Sequence, residues 1–335
     1  MAGHSLTAEE TEEVFELFLA PGGASDAQIA SYLTLTAQRL PTSAELVGGA
    51  RCLRKHMVKV DGGSKRLLDT CGTGGSGYDS FNTSTICALV VAAAGQGVAK
   101  HGNRGATSRC GSADLLMAAG VAIDIPPAEM AKILRKTGFG FFFAPAHHPA
   151  TKRVGGIRRE LGFRTIFNFL GPLANPAGVQ FQLLGVSNRK MVEVMAEALR
   201  DLGTERAMVV CGEDGLDEIT LTGQTIVAEV EKGGIKQYLI TPEQFGFKCV
   251  PIEEILGGEP EQAVKLALDV LAGKLSARLS LVELNAGAAL AVAGKASSIE
   301  DGIAIARQIL QSGAGVKVLD QFRSETVSVK NLSAA

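Results

Sequence analysis

Tryptophan is absent from the 335 residues, and tyrosine occurs only three times. With 46% hydrophobic residues and 5% aromatics, the core is expected to be mostly aliphatic. Eleven prolines against forty dispersed glycines exclude a low-complexity chain and point to many tight turns. The six cysteines, at 52, 71, 87, 110, 211 and 249, form no CxxC pair. In a chain this long they read as buried free thiols of a reducing compartment. An excess of one charge is missing too. Lysine and arginine total 33 and aspartate and glutamate 35, for a net charge of −2. No global field draws such a chain to nucleic acid or anionic lipid, so neither partner is expected. No apolar run approaches the length that spans a bilayer. The start, Met1 to Glu10, is polar and acidic and does not read as a signal peptide. A cytoplasmic location is the expectation, and the length allows two or three modest domains.

What is present divides in two. Residues 1–65 read as helices throughout. Val14, Leu17 and Phe18 form an apolar stripe at helical spacing, behind a capping-box pattern at Thr7 to Glu10. Ser25–Leu35 and Ser43–Val58 continue the pattern, punctuated by Pro21-Gly-Gly and Arg39-Leu-Pro41. The bundle either keeps an apolar face for a partner or packs that face on the rest of the chain. From Lys65 onward strands alternate with helices. Strands are expected at Arg66–Asp69, Val98–His101, Ala122–Ile125, Phe139–Ala144, Gln180–Val186 and Ala207–Cys211. Helices are expected at Asn82–Gly95, Ser112–Ala119, Pro127–Thr137, His148–Leu161 and Lys190–Leu202. A hairpin, Thr225–Glu231 with Ile235–Ile240, follows. Tail helices are expected at Glu261–Leu271, Leu281–Ala293 and Ile299–Gln311. The fold class is therefore α/β, a mainly parallel sheet covered by helices.

The centre of the pattern is Asp69-Thr-Cys-Gly72-Thr-Gly74-Gly75-Ser76-Gly77, followed by Asn82-Thr83-Ser84-Thr85. Glycines at 72, 74, 75 and 77 let the backbone turn sharply and present several N–H groups together. The helix behind begins with good N-cap residues, and its positive end favours an anion. The stretch reads as a phosphate cradle, although a tight structural turn has the same composition. It matches neither the dinucleotide-binding glycine pattern nor the P-loop.

Three further polar clusters follow. Lys100 to Asp114 begins at a strand end, where ligands of doubly wound sheets sit. Lys100 can neutralise a phosphate and Asn103 can orient a neutral ligand, although polar loops also merely connect. In His147-His148-Pro149 the adjacent histidines face different ways and make a poor metal pair. Arg158, ten residues on, is of interest only if it faces the cleft, where it could hold a carboxylate by two hydrogen bonds. Asp217 and Glu218 lie in an acidic loop that is not an EF-hand. Beside a polyphosphate they are the plausible Mg²⁺ donors.

Taken in order, these clusters resemble the anthranilate phosphoribosyltransferase family of tryptophan biosynthesis. The resemblance rests on Gly72-Thr-Gly-Gly75, Asn82-x-Ser84-Thr85, Lys100-His-Gly-Asn-Arg104, Gly111-Ser-Ala-Asp114 and His148-Pro149. It continues through Arg158-Arg-Glu-Leu-Gly162, Arg164-Thr-Ile-Phe-Asn168, Leu170-Gly-Pro-Leu173, Asn175-Pro176 and Asp217-Glu218. It implies a homodimer joined through its helical domains, each chain having a helical domain over residues 1–65 and an α/β domain over 66–335. Residues of about 148–175 would join the helical part. It implies transfer of phosphoribose from 5-phosphoribosyl 1-pyrophosphate (PRPP) to the amino group of anthranilate, with Mg²⁺. By the same resemblance, Gly72, Gly75, Ser76, Ser80, Asn82, Thr83, Ser84, Thr85, Lys100, Ser108 and Ser112 form the PRPP site. Gly72, His101, Asn103, His148, Arg158 and Pro172 form the anthranilate site. Ser84, Asp217 and Glu218 hold the metal.

Some residues depart from the family pattern. Ser76 stands where Asp is usual, with Asp79 three residues on as a partial substitute. Arg109 stands where Lys is common, Thr83 replaces an aliphatic residue, and Gly155-Gly156 precedes Arg158. Two other readings remain. A pyrimidine nucleoside phosphorylase would need neither the acidic pair nor Arg158. A non-catalytic nucleic-acid-binding relative would show a basic stripe, which is missing here.

Overall fold

The computed structural model describes residues 4–63, 66–105 and 108–334. Lys65, Ala106 and Thr107, which the sequence reading touches, lie outside the described residues. Three helices open the chain: α1 (Ala8–Leu19), α2 (Asp26–Arg39) and α3 (Ser43–His56). Thr7 with Glu10, Ser25 with Gln28 and Thr42 with Glu45 form capping boxes at their starts. Each box satisfies two backbone donors that the helix leaves open. Helix α1 buries Phe15 and Phe18 while Leu17 stands exposed.

The chain then enters the sheet at β1 (Leu68–Gly72) and continues through α4 (Thr83–Ala93), β2 (Val98–Gly102), α5 (Ser112–Ala118), α6 (Pro127–Thr137) and β3 (Phe139–Phe143). The short α7 (Ala144–His147), a 3-10 turn (Pro149–Thr151), α8 (Lys152–Leu161) and α9 (Phe167–Leu173) lead back to β4 (Phe181–Gly185). Next come α10 (Met191–Asp201), β5 (Arg206–Gly212) and the hairpin β6 (Thr225–Glu231) and β7 (Gly234–Ile240). Four helices close the chain: α11 (Pro260–Leu271), α12 (Ala277–Val292), α13 (Ile299–Gln311) and α14 (Ala314–Ala334).

The strand order is β3-β2-β1-β4-β5-β6-β7. The first five are parallel, and β6 and β7 are antiparallel additions at one edge. The chain steps from β1 outward to β3, then returns to start β4 on the other side of β1. That reversal opens a crevice at the carboxyl ends of β1 and β4, where such sheets bind ligands.

Alternate strand residues feed two cores. Leu183, Met208, Val210 and Val227 pack on the face covered by α4 and α12. Leu184, Val209, Cys211 and Ala228 pack on the other face. This period of two is that of a sheet buried on both sides. The second core is continuous with Phe15, Leu33, Leu46, Val154 and Phe167. The amino-terminal helices therefore share one apolar interior with α8, α9, α10 and the sheet.

Several expectations are corrected. Ala122–Ile125 has no regular secondary structure; its apolar residues are buried, but it pairs with no strand among the described residues. Strand β3 already occupies the place beside β2, and Pro126-Pro127 lacks amide donors for a ladder. The expected helix from His148 begins only at Lys152, after the 3-10 turn. Helices α9 and α14 are not among the expected elements. Pro172 sits in the last turn of α9 and reads in sequence as a turn signal. Cys249 is exposed, unlike the other five free cysteines. Among the described residues no helix is long and apolar enough to cross a membrane.

Candidate active site

A cavity of about 830 Å³ opens at the switch point between β1 and β4. One wall is the glycine loop. Gly74, Gly75 and Gly77 have φ of 64°, 82° and 81°, a left-handed run that only glycine takes without cost. Among the described residues, none accepts from the N–H groups of Gly75, Ser76 and Gly77. These donors remain free for an anion. Asn82 precedes α4 in a left-handed conformation at φ 60°. Its side chain does not cap the helix, contrary to expectation. Nδ2 donates instead to the Cys110 carbonyl at 3.0 Å, and Oδ1 is buried without a partner. The asparagine thereby ties the glycine loop to the Lys100–Asp114 loop and leaves the first turn of α4 open.

Lys100 comes up beneath this wall from β2 and is 1% exposed. Its Nζ donates to the Thr70 carbonyl at 2.6 Å and to Ser84 Oγ at 3.2 Å. Burial pulls its pKa down, while Asp69 pushes it back up. Asp69 accepts from the His101 amide at 3.2 Å and from Asn175 Nδ2 at 2.8 Å. Burial raises its pKa to about 6, against the opposing pull of Lys100.

Asp217 and Glu218 reach the same wall from the loop after β5. Asp217 Oδ2 accepts from the Gly74 amide at 2.8 Å across 143 residues of chain. A Cβ on Gly72 would lie 2.1 Å from that oxygen, so glycine at 72 is what admits the carboxylate. Burial raises the pKa of both acids, that of Glu218 to about 8, with the Thr83 hydroxyl pulling the other way. Two neighbouring carboxylates are thus held in an interior that disfavours their charge, which a cation would relieve.

The opposite wall is different in kind. The imidazoles of His101 and His148 lie 5.2 Å apart, and the Nε2 atom of each is buried without a partner. His101 Nδ1 meets the Gly171 carbonyl at 3.1 Å. Burial, and then the neighbouring histidine, lower the pKa of His101 to about 3. Burial lowers that of His148 to about 4, so both rings are neutral near pH 7. Arg158 faces the cavity from α8, its guanidinium 5.4 Å from the Phe167 ring centre. Nη2 donates to Asn168 Oδ1 at 3.3 Å, and burial lowers the pKa. No acid pairs with it among the described residues.

Known proteins resemble this chain along nearly its whole length. The helical bundle domain of the glycosyl transferase family matches residues 1–57, and the a/b domain of that family matches residues 64–316. The anthranilate phosphoribosyltransferase of Rubrobacter xylanophilus is 47% identical over 96% of this chain and 94% of its own. That of Persephonella marina is 45% identical over 96% and 95%. The chain belongs to the anthranilate phosphoribosyltransferase family. The solved anthranilate phosphoribosyltransferase of Thermus thermophilus superposes with a TM-score of 0.91 at 42% identity, covering 97% of each chain. The Saccharomyces cerevisiae enzyme, solved in complex with PRPP and Mg, gives a TM-score of 0.86 at 25% identity, covering 96% and 94%.

The family motifs converge in the structure. Gly72, Gly75, Ser76, Ser80, Asn82, Ser84, Lys100, Ser108, Ser112, Asp217 and Glu218 line the cavity with His101, Asn103, His148, Arg158 and Pro172. Thr83 and Thr85 do not line it; they are buried in the base of α4. Asp79 is no free substitute for the acid missing at 76. It is held by Arg109, through Nε at 3.0 Å and through the backbone amide at 3.1 Å. Ser76 Oγ accepts from the Tyr78 amide at 3.3 Å. Asp114 orders the second loop by accepting from the amides of Gly105 and Gly111 at 2.8 and 2.9 Å. Arg164 and Asn168, noted only as members of a motif, prove to be cavity residues. Their polar character beside an aromatic run was the signal for them.

Proposed function

We propose that the protein transfers the phosphoribosyl group of PRPP to the amino group of anthranilate and releases pyrophosphate. The observation that carries this reading is the pairing of two unlike walls in one cavity. The free amides of the glycine loop, Lys100 and the open turn at Ser84 suit a pyrophosphate. Arg158 suits a carboxylate, and the neutral histidines with Pro172 suit a flat aromatic body.

In the reaction the bond from ribose C1 to the pyrophosphate oxygen breaks as the bond from C1 to the amine nitrogen forms. The amine is neutral at pH 7 and its proton leaves to solvent, so no nucleophilic side chain is needed. Lys100 and the loop amides stabilise the charge that grows on the leaving group. Arg158 and Asn103 hold the acceptor with its nitrogen aimed at C1, so catalysis is largely positioning. Ser84, Asp217 and Glu218 would hold Mg²⁺; the two carboxylates, whose charge the site disfavours, and the unpaired Asn82 oxygen fit a hard cation. When bound, Mg²⁺ neutralises pyrophosphate charge.

A homodimer through the helical part belongs to the same proposal, supported by the exposed Leu17 and Leu35 on α1 and α2. So does a cytoplasmic location, supported by six free cysteines. A net charge of −2 argues against a nucleic-acid partner. The test is anthranilate fluorescence. It should decay only with PRPP and Mg²⁺ both present; folded protein that consumes none would overturn the assignment.

A further inference from the structure

The glycine loop does not hold its shape alone. Arg164, between α8 and α9, donates through Nη1 to the Gly74 carbonyl and through Nη2 to the Thr73 carbonyl at 3.1 Å. Nη1 also reaches Ser187 Oγ at 3.1 Å, and Ser187 Oγ itself donates to the Gly74 carbonyl at 2.8 Å. The amide of Gly74 goes to Asp217 on the other side. Both backbone polar groups of this one residue are therefore taken, the carbonyl by Arg164 and Ser187, the amide by a carboxylate of the acidic loop. A Cβ on Gly75 would stand 1.3 Å from Arg164 Nη1, so a side chain there would expel the guanidinium. The Phe169 ring, 5.7 Å from the guanidinium carbon, supports it from beneath. Arg164 forms no ion pair within contact distance among the described residues, and burial lowers its pKa against the pull of Asp217. Of its three hydrogen bonds among the described residues, two go to the loop and one to Ser187.

We infer that Arg164, with Ser187, is a positioning residue that latches the glycine loop over Asp217. The latch holds the carbonyls of Thr73 and Gly74 on the guanidinium. The amides of Gly75, Ser76 and Gly77 are left for the anionic donor. It also fixes the distance between those amides and the Asp217 carboxylate. A charged donor to two successive carbonyls is suited to this, because its bonds are stronger than neutral ones and set the peptide plane. The inference rests on the phosphoribosyl reading of the cavity, but the latch itself does not depend on the acceptor.

The test compares Arg164→Ala, Arg164→Lys and Ser187→Ala with the unaltered protein. Donor binding is measured by titration calorimetry with PRPP at several Mg²⁺ concentrations, and anthranilate binding by fluorescence. Arg164→Ala is expected to weaken PRPP binding and raise the Mg²⁺ requirement, each on the order of 10- to 100-fold. Anthranilate affinity should change by less than about threefold, since among the described residues Arg164 hydrogen-bonds the glycine loop and Ser187 and not Arg158 or the histidines. Arg164→Lys, keeping one charged donor, should recover part of the loss. Ser187→Ala should show a smaller effect in the same direction, and it serves if Arg164→Ala does not fold. Equal losses for PRPP and anthranilate, or a Mg²⁺ requirement unchanged in both alanine variants, would overturn the latch. Failure of the unaltered protein to bind PRPP would overturn the functional reading instead.

Discussion

The two walls of the cavity solve opposite electrostatic problems. The donor wall holds backbone donors, a buried lysine, the buried Glu218 and the half-buried Asp217, all of which gain from incoming charge. The acceptor wall holds two neutral histidines and an arginine that donates to an amide oxygen and meets no acid among the described residues. Burial acts on both walls by one rule, whichever wall a group stands on: the acids rise, while Lys100, the histidines and Arg158 fall. One desolvated cleft can thus prepare a site for a metal pyrophosphate at one end and for an aromatic acid at the other. What separates the ends is which chemical groups the strands, helices and loops deliver to each.

The largest effect is expected from emptying the donor wall. Lys100→Met should lower turnover on the order of 10²- to 10³-fold, as for loss of one preorganised donor to a developing anion. Steady-state assay at saturating anthranilate checks this, and a change below about tenfold would remove Lys100 from leaving-group stabilisation. Next comes the acceptor wall. Arg158→Ala should raise the anthranilate KM about 10- to 100-fold, equivalent to a charge-assisted bond of ~1.5–3 kcal/mol. The PRPP KM should stay within about threefold. Equal loss for both substrates would erase the division between the walls.

A pH series separates the walls without substrate. Histidines whose folded pKa lies at about 3 and about 4 favour the unfolded state as pH falls below the free value. His101→Asn should therefore gain on the unaltered protein by ~1.4 kcal/mol per pH unit on acidification below about pH 6.5. Glu218 has the opposite sign. With a folded pKa of about 8 it supports folding at low pH, and that support is lost as pH rises toward 8. Glu218→Gln should gain on the unaltered protein as pH rises, levelling off above the folded pKa. Urea denaturation in the absence of Mg²⁺ measures both, and gaps of like sign would break the comparison. The smallest effect belongs to the departure at 76. Ser76→Asp should shift the Mg²⁺ half-saturation by about two- to fivefold, the size expected of a partly solvated charge at ~0.5–1 kcal/mol. A change on the order of 100-fold would mean that the loop depends on this position far more than its half-buried setting allows.

Much of this was legible in the residues. Apolar runs between turn signals located six of the seven strands to within a residue, four by alternation with helices and two as a hairpin, and placed β1 at Arg66–Asp69, two to three residues early. The same signal misplaced Ala122–Ile125, where burial has a strand's sequence signature but the ladder partner is already taken. Pro172 concealed α9, since a proline near a helix end is indistinguishable in sequence from a turn. The loop glycines, Lys100, Arg158 and Asp217-Glu218 were all visible as motifs. The roles of Arg164 and Ser187 were not, because each acts on a backbone carbonyl far away in sequence, and any arginine or serine could do the same.

The turns of the glycine loop, the α/β alternation and the family are written in the chain itself. The first two follow from local sterics, glycine placement and periodicity, which need no distant partner, and the family follows from the shared motifs. The charge states and the contacts were settled only by packing. Asp217 meets Gly74, Arg164 closes over Gly75, and two histidines lose their protons inside the cleft. Each of these depends on which remote segments exclude water from one another, and desolvation is a property of the packed chain, not of any stretch of it.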